Sequence, residues 1–225
     1  MELTNIVPWG RSFQEYKKMF SLSAGDLEKS ILGCGDGPAS FNAELSSQGG
    51  NVISVDPIYC FTAKQLKSRI LEVFKEVMQQ MQLNKDRYVW DNIGSVKALG
   101  KIRMSAMEKF IEDYDLGKKQ GRYIEGSLPQ LGFNDHQFEL ALCSHYLFLY
   151  SEQISVQAHI DSLQELCRVA KEVRVYPLLS LDGEPSPHLS QVILALNRLN
   201  LSVTLVDVSY QFQKGATQML VIKSP

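Results

Sequence analysis

The sequence predicts an α/β fold built on a mostly parallel sheet, and three observations carry that prediction. Short apolar segments alternate with longer amphipathic ones, the pattern of strands joined by crossover helices. One apolar segment runs directly into "ILGCGDGPASF", residues 31–41, where closely spaced glycines mark a strand turning sharply into a helix. The last two strand-like segments have no helix between them, so they read as an antiparallel hairpin.

Taken in order, "SFQEYKKMF" sets Phe13, Tyr16, Met19 and Phe20 on one face of a short helix. "SILGC" reads as a buried strand, "PASFNAELSSQGG" as a helix stopped by Gly49 and Gly50, and "NVISVDP" as a second strand ended by Asp56 and Pro57. Residues 61–116 then turn helical. Leu66, Ile70, Val73, Phe74, Val77 and Met81 form one stripe; Val96, Leu99, Ile102, Ala106, Phe110 and Ile111 form another. The polar, aromatic link "LNKDRYVWDNIG" separates them. Strands resume at "GRYIEG", "FELALCS" and "EVRVYPLL", with "VQAHIDSLQELCRVAK" as a helix between the last two and "SPHLSQVILALNRLN" as the final helix. "SVTLVDVSYQF" and "TQMLVIK" close the chain across a tight "QKGA" turn, making seven strands in all. One domain over residues 1–225 is expected, with residues 61–116 as a helical insertion after the second strand.

Composition narrows the function. The 225 residues are 44% hydrophobic and 21% charged, and net charge is −2 with no dense basic cluster, which disfavours a nucleic-acid partner. The start "MELTNIVPWGRSF" lacks a basic region before an apolar stretch, and "ELALCSHYLFLY" is too short and interrupted to span a bilayer. Cys34, Cys60, Cys143 and Cys167 show no CxxC spacing, and four scattered histidines show no metal spacing. A cytoplasmic protein without a metal or a membrane partner is expected.

The glycines gain meaning from the strand beyond them. If strand, loop, helix and strand bind a nucleotide, an acid at the end of the second strand should receive a ribose diol. Asp56 is that acid, 21 positions beyond Gly35, against about 20 for such units. This spacing selects Gly35, Gly37 and Ala39 as the close-approach positions. Asp56 is also a good helix N-cap, and the two roles coexist.

On these residues the chain resembles the class I S-adenosylmethionine-dependent methyltransferases. The likeness rests on "ILGCGDGPA", on "VISVDP" and on "RYIEGSLPQLGFNDHQFELALCSHYLFLY", in which Leu128, Pro129, Phe138, Glu139 and Leu140 match the family's pattern. The terminal hairpin fits as well. The resemblance implies a Rossmann-like, doubly wound, mostly parallel seven-stranded sheet with a C-terminal antiparallel hairpin, and S-adenosylmethionine as cofactor. It implies that Gly35 and Gly37 admit the amino-acid part of the cofactor and that Asp56 accepts both ribose hydroxyls. Pro57 and Ile58 come next in the cofactor site, with Ile58 on the adenine. Ser127 and Leu128 would line the adenine edge, and Cys143 and Ser144 would flank the methionine portion. Gly33 stands where the family usually has an acid, a part that Asp36 inside the loop would take over. Ser127 stands where an adenine-gripping Asp is common, which leaves adenine to backbone groups.

His145 and Tyr146 follow the fourth strand, where these enzymes face substrate, and are the catalytic candidates; each is equally a packing residue. Arg11, in "PWGRSFQEY", would fold over the cofactor and face a carboxylate. Trp9, Tyr16, Tyr88 and Trp90 read first as packing residues, with lining of an acceptor pocket under a helical cap as the second reading for Tyr88 and Trp90; His159 reads as surface and His188 as loop. "CSHYLF" replaces the Asn/Asp-Pro-Pro-aromatic motif of many N-methylating enzymes, which points to a small-molecule acceptor. Two rivals stand beside this reading, a catalytically silent scaffold of the same fold and a nicotinamide-dependent oxidoreductase.

Overall fold

The computed structural model describes residues 8–224; the opening MELTNIV, part of the segment read for a leader, lies outside them. Seven strands form one sheet in the order β3-β2-β1-β4-β5-β7-β6. They are β1 (Ser30–Cys34), β2 (Asn51–Val55), β3 (Tyr123–Ile124), β4 (Phe138–Ser144), β5 (Ala170–Tyr176), β6 (Ser202–Asp207) and β7 (Gln218–Lys223). The first five run parallel, and β7 lies antiparallel between β5 and β6. This is the doubly wound, Rossmann-like sheet with a C-terminal antiparallel pair that the resemblance implies.

Period-two alternation gives the central strands two buried faces. Ile31, Leu140 and Leu142 join one core cluster with α1 (Phe13–Met19), α3 (Phe41–Ser47), α4 (Ala63–Leu83) and α5 (Val96–Lys119). Leu32, Ala141 and Cys143 join the other, under α6 (Val156–Val169) and α7 (Leu189–Arg198). A short α2 (Ala24–Leu27) precedes β1. Capping boxes start α1 at Ser12 with Glu15 and α4 at Thr62 with Gln65.

Three sequence readings need correction. The third strand is only Tyr123–Ile124, because the chain leaves the sheet edge after two register pairs with β2. The tight QKGA turn is present, with Ala216 N–H donating to Gln213 O (3.1 Å), but the closing strands do not run up to it. Pairing ends at Asp207 with Gln218, and residues 208–217 form an irregular crossing over the sheet end. His159 is fully buried, not surface, because it shares the inward stripe of α6 with Leu163 and Leu166. The insertion keeps the expected α4 stripe, with Leu66, Ile70, Val73, Val77 and Met81 buried. In α5, however, that stripe also carries Arg103, which is 0% exposed.

Candidate active site

A cavity of about 300 Å³ opens at the carboxyl ends of β1, β2 and β4, around the point where strand order reverses, the usual ligand position in open α/β sheets. Its wall brings together Arg11, Gly35, Asp36, Gly37, Asp56, Pro57, Ile58, Ser127, Leu128, Ser144, His145 and Tyr146. Cys143 is the exception. Its side chain lies on the α6 face of β4, fully buried, and burial pushes its thiol up to about 12. Cys34, its register partner on β1, lines the cavity instead.

The glycine loop is held by the acid predicted to serve it. Gly37 N–H donates to Asp56 Oδ2 (2.8 Å), and Ile58 N–H donates to Oδ1 (3.0 Å). Asp56 thereby caps the 3-10 turn over Pro57–Cys60 and still lines the cavity. Burial pushes its carboxyl pKa up, opposed by these two backbone donors. Each oxygen takes one donor here and retains a lone pair for a ligand hydroxyl.

Gly35 and Gly37 sit at φ +70° and +53°, the left-handed region that favours glycine. A Cβ on Gly35 would approach Tyr146 Cβ to 3.0 Å, whereas one on Gly37 would meet only Asp56 Oδ2, at 4.0 Å. The space at Gly37 is therefore open toward the cavity, a cradle that a side chain would fill. Gly37→Val should leave the protein folded, at a backbone cost of about 1–3 kcal/mol, and should abolish nucleotide binding in a calorimetric titration. Normal binding by that variant would place the loop's close approach elsewhere.

Gly33 is explained by Asp36. A Cβ on Gly33 would lie 1.8 Å from Asp36 Oδ2, so the loop acid folds back over the strand residue that lacks one. Tyr16 Oη donates to Asp36 Oδ1 (2.7 Å) and Ser54 Oγ to Oδ2 (2.6 Å). Burial nevertheless raises this carboxyl to about 6.

His145 has φ +52°, and its N–H donates to Tyr176 O (2.7 Å). Its Nδ1 lies 2.9 Å from Ser144 Oγ. Burial, then the charges of Arg11 and Arg103, hold its pKa well below the usual imidazole range, so it is neutral at pH 7. A neutral ring can orient a polar group or accept a proton only weakly.

Of the far wall, the sequence singled out Tyr88 alone, as a second reading. Val77 and Met81 of α4, Tyr88 of the link, and Tyr210, Phe212 and Gln213 of the 208–217 crossing all line the cavity. Two segments distant in sequence are laced together there. Val89 N–H donates to Phe212 O (2.7 Å), Lys214 N–H donates to Arg87 O (3.0 Å), and Tyr88 stacks on Phe212 at 4.7 Å. The N-terminal segment closes a third side, with Ser40 N–H donating to Arg11 O (3.0 Å).

Behind Arg11 lies a buried charge network. Arg103 Nη1 donates to Glu15 Oε2, and Tyr210 Oη donates to Glu15 Oε1 (2.7 Å). Burial alone would raise the Glu15 carboxyl, but Arg103 and the surrounding donors outweigh it and hold it at about 2. Among the described residues, Arg11 Nε, Arg103 Nε and Arg103 Nη2 have no hydrogen-bond partner.

No family model matches the chain. An uncharacterized protein of Methanocaldococcus jannaschii is 30% identical over 224 residues, 99% of this chain and 98% of that one. A SAM-dependent methyltransferase from Aquifex aeolicus is 14% identical with a TM-score of 0.43, over 93% of this chain and 87% of that one. Magnesium protoporphyrin IX methyltransferase from Synechocystis, solved with bound SAM, is 11% identical with a TM-score of 0.43, over 95% and 91%. The PH0226 protein of Pyrococcus horikoshii is 11% identical with a TM-score of 0.47, over 88% and 82%. Structural likenesses this distant say nothing of what the chain binds. Among the described residues, no helix is long and apolar enough to cross a membrane.

Proposed function

We propose that this chain, which belongs to the same family as the Methanocaldococcus jannaschii protein, is an S-adenosylmethionine-dependent methyltransferase of a small-molecule acceptor. The observation that carries this reading is Asp56 at the end of β2, tied to Gly37 N–H and Ile58 N–H and open to the cavity. It supports a ribose diol on the carboxylate and the rest of a nucleoside along Ile58, Ser127 and Leu128. Asp36, buried and lined up with Tyr16 and Ser54, suits a cationic group beside the glycine loop.

When bound, the cofactor supplies an activated methyl group on a sulfonium. The residues therefore have only to align an acceptor and exclude water. Gly35 and Gly37 admit the donor. His145 and Tyr146 face the acceptor, His145 as a neutral ring that orients it. The roof formed by α4, the 85–94 link and the 208–217 crossing shields the reacting atoms and admits only a small acceptor. Within the insertion, the end of α4 and the link act as the cap, while α5 packs in the core beside the sheet.

If the roof works this way, hydrogen exchange with S-adenosylhomocysteine bound should slow in residues 77–90 and 209–216. Unchanged exchange there would remove the cap from the account. The reading as a whole is tested by calorimetric titration with S-adenosylmethionine, S-adenosylhomocysteine, NADH and NADPH. The expected result is binding of the first two alone. Binding of a nicotinamide dinucleotide instead would make the chain an oxidoreductase, and binding of none would leave a silent scaffold.

A further inference from the structure

We propose that the methyl acceptor is a small planar monoanion whose carboxylate pairs with Arg11. The inference rests on the methyltransferase reading and moves Arg11 from the cofactor, where the reading of the N-terminal segment puts it, to the acceptor. The first ground is position. Arg11 lines the cavity beside Tyr88, His145, Tyr176 and Tyr210, and its charge is felt at all four.

The second ground is charge. Around this end of the cavity stand two guanidinium groups, Arg11 and Arg103, and one carboxylate, Glu15, already engaged by Arg103 and Tyr210. One positive charge is left over, and it belongs to Arg11, whose Nη1 donates to a neutral carbonyl, Trp9 O (2.7 Å). Its Nε is buried without a partner among the described residues. Burial and the neighbouring Arg103 lower its pKa to about 10 against the opposing charge of Glu15, and it stays charged at pH 7. A single carboxylate meets both needs, with a charge-assisted bond that a fork of guanidinium donors favours.

The third ground is shape. Trp9, Tyr88, Tyr176, Tyr210 and Phe212 supply aromatic walls around the same end, which suit a flat ring. The neutral His145 adds no competing charge.

The test uses benzoate and its neutral isostere benzamide as probes, titrated by NMR into the full chain with S-adenosylhomocysteine present. Wild-type protein should bind benzoate about tenfold or more tightly than benzamide. Arg11→Lys should keep that preference, and Arg11→Met should lose it while holding S-adenosylhomocysteine within about twofold. Equal affinity of the two probes in wild-type protein would overturn the proposal. So would an Arg11→Met variant that loses S-adenosylhomocysteine about tenfold, since Arg11 would then serve the cofactor. Should wild-type protein take no S-adenosylhomocysteine, the methyltransferase reading falls. Benzoate preference in the ligand-free protein then decides the anion site by the same criterion.

Discussion

Replacing Glu15 with glutamine should lower folding stability by about 3–5 kcal/mol, because it leaves Arg103 buried without its counter-charge. Arg103 is 0% exposed and Glu15 7% exposed, so water cannot solvate the charge that the substitution leaves behind. Glutamine preserves the capping-box geometry with Ser12, so most of the loss reports the charge and little of it the helix start. The pair also predicts a pH dependence. Glu15 titrates at about 2 in the folded protein against an ordinary 4.5. Its contribution is fully present above pH 4.5 and is lost as pH falls toward about 2. Chemical denaturation at pH 7 measures the loss directly. The double variant Glu15→Gln with Arg103→Met should recover a large part of it, because no lone buried charge remains. A single variant within about 0.5 kcal/mol of wild type, the range of ordinary surface changes, would contradict the buried pair.

Replacing Asp56 with alanine should weaken S-adenosylmethionine and S-adenosylhomocysteine by tenfold to about a hundredfold, since hydrogen bonds to a charged acceptor contribute about 1.5–3 kcal/mol each. The carboxylate acts twice. In the proposed site it offers free lone pairs to the ligand, and it fixes Gly37 and Ile58 through their N–H groups. Asparagine should rescue little, because its amide N–H₂ would meet one of those two N–H donors without an acceptor. The folded state should lose about 1–3 kcal/mol with alanine, for two N–H groups left short of partners. Calorimetry showing unchanged affinity would remove Asp56 from the site.

The loop and its acid were legible because backbone geometry fixes their spacing. A strand, a tight turn, a helix and a second strand return the chain to the sheet after about 20 residues, and Asp56 falls there. The apolar run of SILGC likewise marked β1 as a buried strand. The rest of the site depends on tertiary contacts that leave no local signal. Arg103 reads by type as a solvated charge, yet it follows Leu99 by four positions on the inward stripe of α5. Tyr210 and Phe212 read as strand residues because β-propensity continues past Asp207; the ladder ends there, and the chain crosses to meet the 85–94 link instead. Cys143 came to the site through the resemblance, and its side chain packs in the cluster under α6 and α7. His159 was misread because a polar neighbourhood in sequence does not set which stripe of a helix packs inward.

The most direct measurement is a crystal structure of the chain with S-adenosylhomocysteine. The ribose hydroxyls should lie at hydrogen-bond distance from the Asp56 carboxylate, about 2.6–3.0 Å, with the adenine against Ile58 and the Arg11 guanidinium clear of the ligand's carboxylate. A ligand seated away from the glycine loop, or with its ribose turned from Asp56, would contradict the account.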